Sequence, residues 1–286
     1  VIAPFDASVA GLLDHAWPGM SRRIAQATAR GFRWQDISTA FVAFAGNAPI
    51  AHVGVIEIPL VIDGCHKSAA GIHAVCTHPD HRGRGHCRAL LEEALAHCDA
   101  HHDIALLYTG HVGLYEKFGF WRTREHCFRA AVHPRTSPAD RAAVALPEGD
   151  PATLEVVRRL LACRTPISEQ LGVVEASILW GINAVLQSGG EIRRLHYLPD
   201  LDVITVHEID GWTLRLYDVI GRRIPPLAEL LERIATPVDT VIAFFTPDRL
   251  EAPFTPEPIP APYGDLMIRG TLGARTPFMF PALARC

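Results

Sequence analysis

Residues 75–99 read VCTHPDHRGRGHCRALLEEALAHCD, and this stretch restricts the fold more than any other in the chain. It starts at the end of an apolar run, Ile72 to Thr77, that reads as a β-strand. Pro79-Asp80 marks a turn, and a basic, glycine-containing segment follows, Arg82-Gly83-Arg84-Gly85-His86. From about Arg84 the apolar spacing is helical: Leu90, Leu91, Ala94, Leu95 and Cys98 share one face, and Glu92 and Glu93 turn away. A strand that runs through glycines into a helix leaves several backbone N–H groups without intrahelical partners. They gather at the positive end of the helix dipole, where a phosphate is stabilised. Arg82 and Arg84 add charge there. The segment is an anion site in outline.

The remaining composition excludes more than it selects. At 286 residues the chain can build one large domain or two ordinary ones. No uninterrupted apolar run reaches the ~18 to 20 residues that span a bilayer. The opening VIAPFDASVAGLLDHAWPG has no basic start and carries Asp6 and Asp14, so it does not read as a signal peptide. Seven cysteines (65, 76, 87, 98, 127, 163 and 286) include no CxxC pair and read as reduced thiols in a cytoplasmic protein. A net charge of −4 gives no support to nucleic-acid binding. Residues 1–135 carry 13 Lys+Arg and 12 Asp+Glu, and residues 136–286 carry 14 and 19. The acidic second half suits a cationic substrate, or simply solubility.

In chain order, a first strand at Val1–Phe5 precedes a helix capped by Asp6 and a second helix over Ser21–Ala29. Ile37–Phe44 and Ala51–Ile62 form a hairpin, and Ala69–Thr77 leads into the central segment. Ile104–Tyr108 is a strand, His111–Phe118 a short helix, and Trp121–Val132 a strand or hairpin. The order predicts a mixed α/β sheet rather than a doubly wound parallel one. Four prolines between His133 and Pro151 mark a linker, which divides the chain into 1–135, a connection over 136–150, and 151–286. Beyond it, Ala152–Cys163 and Ile167–Gln187 read as helices and Glu191–His196, Leu201–Val206 and Trp212–Val219 as strands. Pro226–Ala235 then reads as a helix, Val238–Phe245 as a strand, and the proline-rich tail holds one more strand at Asp265–Arg269.

The central segment, taken with Leu114-Tyr115-Glu116-Lys117-Phe118-Gly119-Phe120, resembles the GNAT acetyltransferase superfamily. Arg82-Gly83-Arg84-Gly85-His86-Cys87 fills that family's [QR]xxGx[GA] element at a helix start, and Tyr115 to Phe120 matches its YxxxGF. Cys87 departs from the pattern, standing where Gly or Ala is usual, which is similar to the Eis-like branch (enhanced intracellular survival). The resemblance covers about residues 1–132. In the second half the strand Trp212–Val219, the helix Leu227–Ile234 and the strand Val238–Phe245 are similar to the degenerate second GNAT-like domain of that branch. The branch's sterol-carrier-like third domain is not expected within these 286 residues.

The resemblance implies an α/β architecture, an N-terminal GNAT fold followed by a second GNAT-like domain, with acetyl-CoA as donor. The pyrophosphate would then lie on backbone N–H groups of Gly83, Arg84, Gly85, His86, Cys87 and Arg88, beside Arg82. The edge of Val75, Cys76 and Thr77 would pair with the pantetheine amides as a strand does, and a backbone N–H would steady the oxyanion of the acyl transfer. Tyr115 resembles the tyrosine that protonates the departing thiolate, and a phenol with ordinary pKa ~10 can donate at neutral pH. No base is assigned. Glu57 reads as a surface carboxylate, His73 shares a strand face with Val75 and Thr77, and His52 and His111 are further options. Branch members use a C-terminal carboxylate in the active site, which here belongs to Cys286. Thirteen of the fifteen histidines lie at or before His133, yet the pair His78 and His81 falls in a turn, so no metal is expected. The expected acceptor is a small-molecule amine or a lysine-bearing peptide, with no nucleic-acid or membrane partner. A deep, acidic, aromatic-lined pocket would favour a small amine and an open groove a peptide. The C-terminal half has no glycine-rich helix start, since Gly189-Gly190 follows a helix. It is expected to shape the acceptor cleft or a homo-oligomer interface. The rival reading is a non-catalytic acyl-CoA-binding sensor.

Overall fold

The computed structural model describes residues 1–134, 142–174, 176–187, 194–259 and 264–285. Strand β1 (Ile2–Ala3) gives way to helix α1 (Ala7–Leu13), whose first N–H groups, from Ser8 and Val9, donate to the Asp6 carboxylate as the sequence predicts. Helix α2 (Met20–Ala29) stops at Gly31, which takes φ +81°. Strands β2 (Ser38–Ala45) and β3 (Ala48–Ile62) form the hairpin, followed by β4 (Cys65–Thr77), α3 (His86–His101) and β5 (Ile104–Thr109). A short α4 (Val112–Tyr115) runs into a 3-10 turn over Glu116–Phe118, and β6 (Trp121–Thr123) and β7 (His126–Ala131) follow.

The second half holds β8 (Val144–Ala145), α5 (Pro151–Leu161), β9 (Leu171–Val173), α6 (Ser177–Gln187), β10 (Leu195–Leu198), β11 (Val203–Asp210) and β12 (Thr213–Ile220). After these come α7 (Leu227–Leu231), β13 (Thr240–Ala243), β14 (Thr255–Pro258) and β15 (Asp265–Gly270). The helix expected over 167–187 is therefore only half present. Leu171–Val173 is a strand, paired through Leu60↔Val173 and Ile62↔Leu171 to β3. A short apolar run has no period that separates a buried strand from a helix. Gly172 also lies so close to its neighbours that an added Cβ would sit 2.3 Å from the Ser168 carbonyl. Residues 191–193 of the expected strand, Gly189-Gly190 and Cys286 lie outside the described residues.

Two mixed sheets result, as the sequence predicts for the fold class. The first has the order β1-β2-β3-β4-β5-β15-β6, with β9 added on β3; the second runs β14-β7-β13-β12-β11-β10-β8. Each contains one parallel pair, β4 with β5 and β12 with β13. The sheets exchange strands across the proline-rich connection. The segment expected to be one strand or hairpin over 121–132 divides, β6 joining the first sheet and β7 the second, while β15 closes the first sheet between β5 and β6. Helix α3 covers one face of the first sheet, burying Leu90, Leu91, Ala94, Leu95 and Cys98 against β3, β4 and β5. The other face carries α1 and α2, and α6 packs there too: Phe32, Trp34 and Trp180 share one core with Val9 and Leu13. An added Cβ on Gly181 would lie 2.2 Å from the Phe32 ring, so a glycine lets α6 approach this closely. Among the described residues no helix is long and apolar enough to cross a membrane.

Candidate active site

Strand β4 positions the site. It pairs antiparallel with β3 along its length, from Ile62↔Cys65 to Ala51↔Thr77. With β5 it pairs only over Ala69↔Ile104 to Gly71↔Leu106. The parallel strands diverge beyond Gly71, so residues 72–77 present an edge without a strand partner on the β5 side. A bulge shapes this edge. Ala74 and Val75 together oppose Val53, and Ala74 takes φ +50°. The bulge changes one expected placement. Val75 faces α3 beside Ile72, whereas His73, Ala74 and Cys76 turn to the α1–α2 side. His73 thus does not share a face with Val75.

The expected anion end is the turn between β4 and α3. Gly83 and Gly85 take φ +73° and +83°, and Gly85 is the N-cap of α3 with no side chain bonded across the cap. The space above both glycines is open, with nothing within 4 Å of an added Cβ. The first helical bond runs from Ala89 N to Gly85 O (3.0 Å), which leaves the N–H groups of His86, Cys87 and Arg88 pointing out of the helix start. Arg84 is exposed. Arg82 instead donates from Nε to the Thr77 carbonyl (3.2 Å), tying the loop to the end of β4. Arg88 pairs with Glu92 (2.9 Å), so its backbone rather than its guanidinium belongs to the site.

Tyr115, at the end of α4, is only 6 % exposed and packs in one cluster with Val75 and Cys87, edge-on to Phe120. Burial first, then the neighbouring Cys87, raises the phenol above its ordinary range, so it stays protonated. Burial also raises the Cys87 thiol, and pushes Cys76 up to about 12. Thr77 Oγ1 is buried without a partner. Val75 of the strand edge, Cys87 in the first turn of α3 and the Tyr115 phenol, read separately along the sequence, pack in one cluster.

Behind the bulge lies a cavity of about 150 Å³ lined by Leu13, Trp34, His73, Ala74, Leu179 and Arg285, among others. His73 Nε2 is 2.8 Å from Ser38 Oγ, and its ring rests where a Cβ on Gly54 would be, 2.2 Å away. His52 donates from Nδ1 to the Ala74 carbonyl (2.8 Å). Burial holds His52 at about 4, and burial with the nearby His52 holds His73 well below the ordinary imidazole range. His73 Nδ1 and Trp34 Nε1 are both buried without a hydrogen-bond partner. Arg285 reaches the cavity with its guanidinium on the buried Glu125 (3.2 Å) and over the Tyr108 ring (4.6 Å). Leu179 and Arg285 are far from the motifs in sequence, and no local signal marks them. Glu57 is exposed and accepts from Ser68 Oγ (3.0 Å), a surface carboxylate as expected. His111 stands at the N-cap of α4 without bonding across it. Among the described residues no three His, Cys, Asp or Glu side chains are placed to hold a metal ion.

An acetyltransferase (GNAT) domain family model matches residues 9–123. No curated protein matches the chain. Solved structures similar in fold include a probable N-acyltransferase from Enterococcus faecalis, 14% identical with a TM-score of 0.57, covering 93% of this chain and 70% of that one. The Eis protein of Mycobacterium abscessus is 14% identical with a TM-score of 0.56, covering 94% and 72%. A putative acetyltransferase from Pyrococcus horikoshii is 12% identical with a TM-score of 0.50, covering 100% and 95%. Residues 9–123, the part similar to the acetyltransferase (GNAT) domain, hold the glycine loop, the bulged strand and Tyr115.

Proposed function

We propose that the chain is an N-acetyltransferase that uses acetyl-CoA and delivers the acetyl group to an amine. One observation carries this reading: Val75 of the β4 edge, Cys87 in the uncapped first turn of α3 and the protonated Tyr115 pack together. The residues present fit such a donor. Open glycine amides at a helix start suit a pyrophosphate, and the partnerless edge at 75–77 suits pantetheine amides. When bound, acetyl-CoA supplies a thioester, an acyl group already activated for attack by a neutral amine. Tyr115 holds the proton that a leaving thiolate requires, and its burial keeps that proton in place at neutral pH. The bulge at Ala74 turns β4 so that the cluster of Val75, Cys87 and Tyr115 and the cavity on the other face meet at the same strand. The second sheet is read as a degenerate GNAT-like unit that lends α6 to the acceptor side.

The test is thiol release from acetyl-CoA with a panel of amines and lysine peptides, beside calorimetry of acetyl-CoA alone. Turnover with any amine supports the reading. Tight acetyl-CoA binding with no turnover on any acceptor would replace it with a sensor.

A further inference from the structure

We infer that the acceptor is a small amine with one polar end and an apolar, single-ring body, not a polyamine, an aminoglycoside or a lysine peptide. The inference rests on the acetyl-transfer reading and deepens it. Among the described residues, the lining of the cavity behind the bulge includes no Asp or Glu. A polycation needs carboxylates to replace its hydration, because burying an unpaired charge is costly. Among the described lining residues the one formal charge is Arg285, a cation already paired with Glu125. Apolar side chains, Leu13, Trp17, Leu179, Ile182 and Leu186 among them, make most of the wall. These side chains stabilise apolar surface and leave a distal ammonium unpaired.

Two polar atoms of the lining, His73 Nδ1 and Trp34 Nε1, are buried without hydrogen-bond partners on rings 4.8 Å apart. Buried polar groups are nearly always bonded, so an orphaned pair on a cavity wall marks where a ligand's own polar group belongs. With Nε2–H donated to Ser38 Oγ, Nδ1 of His73 presents a lone pair that can accept from an amine N–H. Ala74, next in sequence, is the bulge residue of the β4 edge, so an amine bound at His73 stands beside the acyl donor's strand. The volume sets the size. A cavity of about 150 Å³ matches the roughly 150 Å³ that takes one benzene ring.

The experiment compares 2-phenylethylamine and n-hexylamine with spermidine, kanamycin and a lysine peptide, by thiol release from acetyl-CoA and by calorimetry of each amine on the CoA-saturated protein. The expected result is kcat/KM for 2-phenylethylamine at least tenfold above that for spermidine, with a measurable binding heat for the aromatic amine only. Leu186→Trp, which fills a half-buried part of the wall, should weaken 2-phenylethylamine at least tenfold and change CoA affinity less than twofold. Trp17→Ala, a change at the exposed rim, gives a second variant that keeps the fold and should raise the KM of the same amine. Preference for spermidine, kanamycin or the peptide overturns the inference and leaves acetyl transfer standing. Acetyl-CoA binding with neither turnover nor binding of any amine overturns the inference too. Failure to bind acetyl-CoA at all removes the reading beneath it.

Discussion

Ala74 holds φ +50° in mid-strand, a conformation that costs a residue with a Cβ on the order of 1–3 kcal/mol. Two neighbours hold it there: the carbonyl of Ala74 accepts from His52, and the His73 ring lies in the room Gly54 leaves. The imidazoles are buried and neutral, and this gives stability a pH dependence of known sign. His52 titrates at about 4 in the fold, and His73 is also held well down. In the unfolded chain histidine titrates near 6.5. Below that value the unfolded state binds more protons, so stability falls as pH drops from about 6.5 towards 4 and is level above it. Asp202, held at about 2 by its bond to Arg159, adds its loss only further down. By pH 5 each buried histidine should remove on the order of 2 kcal/mol. Urea midpoints at pH 7.5 and pH 5 read this directly, and equal midpoints would show that the pair is not neutral in the fold. Tyr115 makes the other prediction at this scale. Tyr115→Phe keeps the ring that packs on Phe120 and removes the hydroxyl that carries the proton. Turnover should drop roughly 100-fold with acetyl-CoA affinity unchanged; unaltered turnover would take Tyr115 out of the chemistry.

At the scale of elements, the parallel unit β4–α3–β5 has a counterpart in β12–α7–β13, and the two differ where chemistry would occur. Both first strands outrun their parallel partner, β12 pairing with β13 only from Thr213↔Thr240 to Leu216↔Ala243. In the second unit the space beyond is filled, with Tyr217 stacked on Phe244 at 4.9 Å and Phe244 N donating to Leu216 O (2.9 Å). The connection there runs through Pro225 and Pro226, and proline has no N–H to offer an anion. Leu227 N, the next donor, is spent on the Leu250 carbonyl (2.7 Å). Calorimetry should therefore find one acetyl-CoA per chain, and a second equivalent would mean that the closed unit opens. The contrast explains what was legible beforehand. The glycine loop, α3 and Tyr115 act through backbone conformation and local spacing, which a linear pattern records. Strand β9 and the cavity wall on α6 depend on what packs against them, and no period of their own distinguishes Leu171–Val173 from a helix.

For the whole molecule, the strand exchange decides which pieces can exist alone. A change in composition at 133–151 draws the eye to a boundary there, because prolines act on the local backbone while strand pairing between distant segments leaves no local trace. Yet β15 lies between β5 and β6, with Met267 facing Leu107 and Ile268 facing Leu106 across the ladder. Leu106, Leu107, Leu266, Met267 and Ile268 are each at most 2 % exposed. Removing the second half would strip β5 of its ladder and expose that core, and would leave the α2 face without Trp180 and Ile182. The segment β7 would be left outside the first sheet, its partners β13 and β14 gone. Uncovered apolar surface at ~25 cal/mol per Å², over several side chains, exceeds the 5–15 kcal/mol by which a domain is normally stable. A fragment of residues 1–134 should therefore lack a cooperative thermal transition and bind no acetyl-CoA, even though it holds every motif of the candidate site. The full chain should melt in one transition, because neither sheet is complete without strands from both sides of the connection. A fragment that melts cooperatively and binds acetyl-CoA would show that β15 and α6 are additions to the first sheet rather than parts of it.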